Sequence, residues 1–174
     1  EMFQRGIQVP YAGLHTFARS PQKAIGELKS GDVAVLGVPH DGTSSTRQGV
    51  RHGPRGIREA SVDFIYGVQS AGTVVDVLTG QTLTWSDDSS MADLGDLAVY
   101  PTDLSRTEDT LRETLAAIVG RGAFPVALGG DHYITYPLFQ GFAEALKAQG
   151  KKAGLIQLAS GLDMGDKHPL WGGA

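Results

Sequence analysis

The stretch Leu128-Gly129-Gly130-Asp131-His132 constrains this chain more than any other. Phe124 to Leu128 form a short apolar run that reads as a buried strand. The two glycines then allow a sharp turn. An aspartate and a histidine follow at the strand's carboxyl end, where open α/β sheets place their ligand sites. Asp32 to Gly37 reads as another buried strand, because Val33, Ala34, Val35 and Leu36 form a continuous apolar run between glycines.

The segments around these strands alternate in type. Ser20-Pro21 predicts an N-cap and first helical residue, opening a short helix to about Leu28. Pro54 opens a helix through about Ile65. The excursion from 66 to 92 is rich in threonine and glycine and contains one strand near Thr73 to Val77. Ser105-Arg106-Thr107-Glu108 has the form of a capping box, and Leu111, Leu115, Ile118 and Val119 give the next helix its apolar stripe. Pro137 sits in the first turn of a further helix, with Leu138, Phe142 and Leu146 on one face, and Ala153 to Leu158 predict the next strand. This alternation predicts a parallel sheet covered by helices on both faces.

Composition narrows the function classes. The formal charge of -4 and pI near 5.7 supply no basic field for nucleic acid or an anionic membrane. No apolar run approaches a membrane span, and the absence of cysteine excludes disulfides, thiolate metal sites and a cysteine nucleophile. A cytoplasmic location is expected.

Three motifs in order carry a family resemblance. Gly37-Val38-Pro39-His40-Asp41-Gly42 continues into Arg47-x-Gly49-x-Arg51-x-Gly53-Pro54-x-x-Ile57-Arg58. Asp93-Leu94-Gly95-Asp96 precedes Val99-Tyr100-Pro101, and the Gly-Gly-Asp-His turn comes third. Over about residues 30 to 165 the chain resembles the arginase/agmatinase (ureohydrolase) family. The resemblance implies an arginase-like α/β fold, a three-layer parallel sheet with helices on both faces. Only the N-terminal half of that fold is expected in this chain, with residues 1–19 as an arm and 20–174 as the N-terminal portion of the domain.

The resemblance also implies a two-manganese centre, in which two cations lower the pKa of a shared water and orient the hydroxide for attack on a guanidinium carbon. Such a centre needs several carboxylates and histidines. In the family the strand after the Gly-Gly-Asp-His turn carries Asp-Ala-His-x-Asp. Here the corresponding run is Ala159-Ser160-Gly161-Leu162-Asp163, so alanine and glycine stand where an aspartate and a histidine are expected. The family's second acidic cluster would lie beyond residue 174. His132 and Asp163 are the remnant metal ligands that the resemblance implies. Read from the residues alone, they are a hydrogen-bonded histidine and a solvated loop aspartate, and that reading is preferred. Small neutral residues at 159–161 also avoid the mutual repulsion of metal-free carboxylates.

Other candidates have plain readings. Asp41 is expected to cap its own loop, with His40 beside it as a possible pocket residue. For Arg47, Arg51 and Arg58 the resemblance implies ties from that loop to neighbouring carboxylates and to subunit contacts, rather than the binding of an anion. Asp163, Asp166, Lys167, His168 and Trp171 read as a polar lid loop, with Trp171 as an anchor for a partner surface. His15 and His52 carry no signal.

Three functions follow from the resemblance. The preferred one is a metal-ligand-depleted subunit without catalytic residues or a metal of its own. It would assemble as a trimer or hexamer with a catalytic ureohydrolase paralogue that holds two divalent metals and hydrolyses a guanidino or biguanide compound. The second is an active manganese-dependent, agmatinase-like ureohydrolase with an atypical ligand set. The third is a non-enzymatic protein that binds a guanidinium metabolite.

Overall fold

The computed structural model describes residues 9–44, 47–84 and 90–159 of the chain. Its strands are β1 (Val33–Val38), β2 (Thr73–Val75), β3 (Thr82–Thr84), β4 (Met91–Asp96) and β5 (Phe124–Gly129). Its α-helices are α1 (Gly53–Ala71), α2 (Leu104–Gly120) and α3 (Thr135–Ala148). Strands β4, β1 and β5 form a parallel sheet in that order, and β2 with β3 makes a separate antiparallel pair.

The middle strand explains the sequence pattern. β1 is paired on both edges and covered on both faces, so Ala34, Val35, Leu36 and Val38 are almost fully buried. A continuous apolar run is what such a position requires. Ala34, Leu36 and Val38 pack in one cluster with Leu111, Leu115 and Ile118 of α2 and Leu138 of α3. Gly37 instead abuts α1. A side chain there would meet Pro54 Cβ at 2.9 Å and Arg58 Nη1 at 3.0 Å. A small parallel sheet with flanking helices is therefore present, and its arrangement agrees with the arginase-like expectation.

The helices begin and end for local reasons. α1 has Pro54 in its first turn and runs past the expected end at Ile65 to Ala71. It stops at Gly72, whose φ of +75° lets its N–H reach the Val68 carbonyl at 2.8 Å. α2 begins earlier than the expected capping box. Asp103 is its N-cap, accepting from the Arg106 N–H at 3.0 Å, which leaves Ser105 already inside the helix. The predicted stripe of Leu111, Leu115, Ile118 and Val119 is buried as expected.

Two predicted elements do not form. Instead of one helix from Ser20 to Leu28 there are two 3-10 turns, Phe17–Arg19 and Ile25–Glu27. The Ser20 hydroxyl donates to the Phe17 carbonyl at 2.7 Å, so it closes the preceding turn rather than capping a following helix. The backbone between the turns is held by β4, with Asp93 N–H donating to Pro21 O and Lys23 N–H donating to Asp93 O. Residues Ala153 to Leu158 likewise form no strand. Leu155, Ile156 and Leu158 are 56%, 91% and 96% exposed, and β5 has no pairing strand on its outer edge among the described residues. An apolar strand of a parallel sheet needs a ladder and cover on both faces, and this segment has neither.

Among the described residues no helix is long and apolar enough to cross a membrane.

Candidate functional site at the carboxyl ends of β1 and β5

The Gly-Gly-Asp-His turn is stitched to the end of β1 by backbone hydrogen bonds. Gly130 N–H donates to Val38 O at 3.3 Å, and Asp131 N–H donates to His40 O at 2.8 Å. Gly130 is required by proximity, because a side chain there would collide with the carbonyls of Val38 and His40. The glycine pair thus brings two loops into contact at the sheet end where α/β folds bind ligands.

Asp131 uses one carboxylate oxygen to hold the neighbouring loop. Its Oδ2 accepts from the Thr43 N–H at 3.0 Å and from the Thr43 hydroxyl at 2.5 Å. Its Oδ1 is buried without a hydrogen-bond partner among the described residues. His40 is also buried, its ring 6.2 Å from that of Tyr133, and its Nε2 is likewise unpartnered. His132 opens a short 3-10 turn (His132–Ile134) and is exposed, with its Nε2 3.2 Å from Gln157 Nε2.

Asp41 caps its loop as expected. Its Oδ2 accepts from Gly49 N–H at 2.9 Å and from Arg51 Nε at 2.8 Å. Burial pushes the Asp41 carboxyl up, but the Gly49 N–H and the Arg51 guanidinium outweigh it and hold the pKa below the usual range. Gly49 makes this possible by adopting a φ of +136°.

Arg58 and Asp93 form the other expected tie, and a tighter one. Arg58 Nε and Nη2 donate to the two Asp93 oxygens at 2.8 and 2.9 Å, and Nη1 pairs with Asp96. Asp93 also accepts from Phe17 N–H at 2.7 Å and Gly95 N–H at 2.8 Å. Burial raises its pKa and these donors lower it, with the donors prevailing. The pair fastens α1 to β4 and to the 3-10 turn at residue 17. It holds the fold rather than a ligand.

A groove of about 570 Å³ runs beside the turn, along the open edge of β5. Leu115, Leu138, Phe139 and Phe142 give it an apolar wall, and Asp131 and His132 lie at its polar end.

The donor set does not fit a two-metal centre. Among the described residues no three histidines, aspartates or glutamates come together in a way that would hold a metal ion. Of the two remnant ligands, His132 stands at the end of the turn, while Asp163 lies outside the described residues. Ser160, Gly161, Leu162, Asp166, Lys167, His168 and Trp171 lie outside them as well. The structure brings His40, Thr43 and Asp131 together, a grouping that the sequence did not announce. Thr43 carries no motif, and the turn aspartate is noticed in sequence only as the neighbour of His132.

Comparison with known proteins agrees with this geometry. The family model described as "Arginase family" matches residues 31–170. The guanidinobutyrase of Pseudomonas aeruginosa is 32% identical over 164 residues, covering 92% of this chain and 47% of that protein. The human mitochondrial guanidino acid hydrolase is 39% identical over 136 residues, covering 78% of this chain and 35% of that protein. Among solved structures, a hypothetical agmatinase from Burkholderia thailandensis superposes with a TM-score of 0.66 at 31% identity, over 79% of this chain and 41% of that one. Proclavaminate amidino hydrolase from Streptomyces clavuligerus gives 0.61 at 29% identity, over 79% and 42%. The chain spans less than half the length of these relatives. With its parallel sheet, its Gly-Gly-Asp-His turn and a family match over most of its length, this chain belongs to the arginase family.

Proposed function

We propose that the protein serves in the hydrolysis of a guanidino carbon–nitrogen bond, as an agmatinase-like ureohydrolase with an atypical set of metal ligands. The observation that carries this is the arginase-family match over residues 31–170, together with relatives named for hydrolysis of guanidino acids and of agmatine. Those names favour an active hydrolase over a non-catalytic subunit. The family's divalent metals would have to draw ligands beyond the described residues, because His132 alone cannot hold a pair of ions. The cytoplasm is the proposed compartment.

The test is urea release from 4-guanidinobutyrate and from agmatine by the purified protein, with and without added manganese. Metal-dependent release supports the reading. Absence of release at any metal concentration, from protein shown to be folded, counts against it.

A second reading is favoured by one specific observation. Ala159 and Gly161 occupy positions where the family resemblance expects an aspartate and a histidine. On that reading the chain is a metal-ligand-depleted subunit of a trimeric or hexameric complex, and an intact paralogue carries the two metals and acts on a guanidino or biguanide substrate. Urea release only after addition of such a paralogue would select it.

A further inference from the structure

The outer face of α1 is not the charged surface that a solvent-facing helix usually carries. Arg58, Val62, Ile65 and Val68 turn inward, while Gly56, Ile57, Ala60, Asp63, Phe64 and Gly67 are exposed. Spacings of three, four and seven residues put these six on one side of the helix. Phe64 is 66% exposed and Ile57 43%, so together they form an apolar ridge. Beside it the surface is low, because a side chain at Gly56 or Gly67 would meet nothing within 4 Å.

A hollow adjoins the ridge. The chain before Ser20 is folded back on itself and onto α1. Arg19 Nη2 donates to Val9 O at 2.8 Å and to Ala12 O at 3.3 Å, and Ala18 N–H donates to Ser61 Oγ at 2.8 Å. Pro10, Tyr11 and His15 thereby stand across a groove of about 400 Å³ from Glu59, Ala60 and Asp63. Tyr11 is 85% exposed. Ala60 belongs to the helix face and to the groove alike, so ridge and hollow form one continuous surface. Contiguous apolar exposure of this kind marks a contact surface, whereas single exposed side chains do not.

Two copies meeting about a two-fold axis need a surface that complements itself. A ridge beside a hollow meets that condition in shape, and the charges meet it in sign. Arg55 lies one turn before Glu59, and Asp63 one turn after it. Two α1 helices crossing antiparallel near Glu59 and Ala60 would bring Arg55 of each copy toward Asp63 of the other. Within the chain Arg55 bonds Glu59 at 2.8 Å, and Asp63 has no ion-pair partner among the described residues. We infer that α1 from Gly56 to Gly67, with residues 10–15 beside it, is a docking surface for a second copy of this chain. Phe64 of each copy enters the other's hollow between Tyr11 and Ala60. A helix of 19 residues is about 28 Å long, so a strip about 10 Å wide along it covers roughly 300 Å². With residues 10–15 added, the contact belongs to the smaller interface class, below about 1,200 Å² in total, and dissociates on the order of 1 μM.

Analytical ultracentrifugation of the full protein, over concentrations spanning that value, tests this surface. The wild type should show a reversible doubling of mass. Phe64→Asp should weaken the association at least about tenfold, because it removes the ridge and sets a charge in the hollow. Asp63→Arg should weaken it several-fold, since two-fold symmetry applies the change twice. Adding Arg55→Asp to Asp63→Arg should restore it, a rescue that damage to the fold would not produce and that decides the matter if Phe64→Asp fails to fold. The chain has no cysteine. Under mild oxidation Ala60→Cys should therefore give a disulfide-linked dimer, and Val77→Cys, 91% exposed beyond β2, should not. A monomer at every concentration, association that Phe64→Asp and the charge reversal leave intact, or a different subunit covering this face in place of a second copy would each overturn the inference.

Discussion

The two edges of the parallel sheet are finished in opposite ways. On the β4 side, a buried guanidinium joins α1, β4 and the turn at Phe17, and the preceding chain pairs with Asp93 through backbone hydrogen bonds. On the β5 side there is, among the described residues, a strand edge without a partner, an apolar groove, and a following segment whose leucines and isoleucine face solvent. One edge is closed by its own side chains. The other has no pairing strand among the described residues. The difference teaches that motif order fixes family and topology, while the finish of an edge depends on elements that lie far apart in sequence.

The comparison breaks most sharply at Arg58. Arg58→Ala would leave Asp93 buried without its counter-charge, a change expected to destabilise the fold by about 3–5 kcal/mol. Chemical denaturation would measure it, and a loss below about 1 kcal/mol would mean that the β4 edge is not held by this pair.

Acid sharpens the same point. The folded pKa of Asp93 lies below its unfolded value, so its stabilising contribution is complete above the unfolded value, ~3.9, and is lost as pH falls through the folded one. Without Arg58 its hydrogen bonds and charge no longer lower the carboxyl's pKa while burial still raises it, so acid costs the variant less than it costs the wild type. The stability gap between wild type and Arg58→Ala should therefore narrow between neutral pH and about pH 4. A gap independent of pH would remove the electrostatic account.

Gly141 tests the wall behind the open edge. A side chain there would collide with the Arg112 carbonyl of α2, so Gly141→Ala should push α3 outward and cost about 1–3 kcal/mol. Thermal unfolding would report it, and an unchanged midpoint would show that the contact between α2 and α3 yields freely. The smallest effect belongs to the exposed segment. Ile156→Ser, at a position 91% exposed, should change the stability of this chain by less than about 0.5 kcal/mol. A larger loss would mean that the segment is packed after all.

What the sequence disclosed follows the same division. β1, the stripe of α2 and the glycine turn were legible because each depends on local pattern and burial period; β5 formed where expected, but of its residues only Leu128 is buried and Phe124 is exposed. The Asp41 cap was legible because a glycine-flanked aspartate has few alternatives, and the carboxylate ties of Arg51 and Arg58 followed from the family resemblance. The helix expected at 20–28 failed because the β4 backbone competes for its hydrogen bonds, a contact some 70 residues away in sequence. The start of α2 was misplaced by one short step, since Asp103 caps before Ser105 can. The strand expected at 153–158 was read from its place after the Gly-Gly-Asp-His turn in the family pattern, yet a strand also needs a neighbour. In the site, His132 was singled out for its place in a motif. The buried, unpaired atoms belong instead to His40 and Asp131, and only the packing of two loops reveals them.

The most direct test of the central claim is native mass spectrometry of the protein isolated from its own cells, reading subunit composition and bound metal together. The active-hydrolase account predicts divalent metal counted on the subunit that contains this sequence. Metal confined to a second, intact subunit of a mixed oligomer would contradict it and leave this chain as the non-catalytic partner.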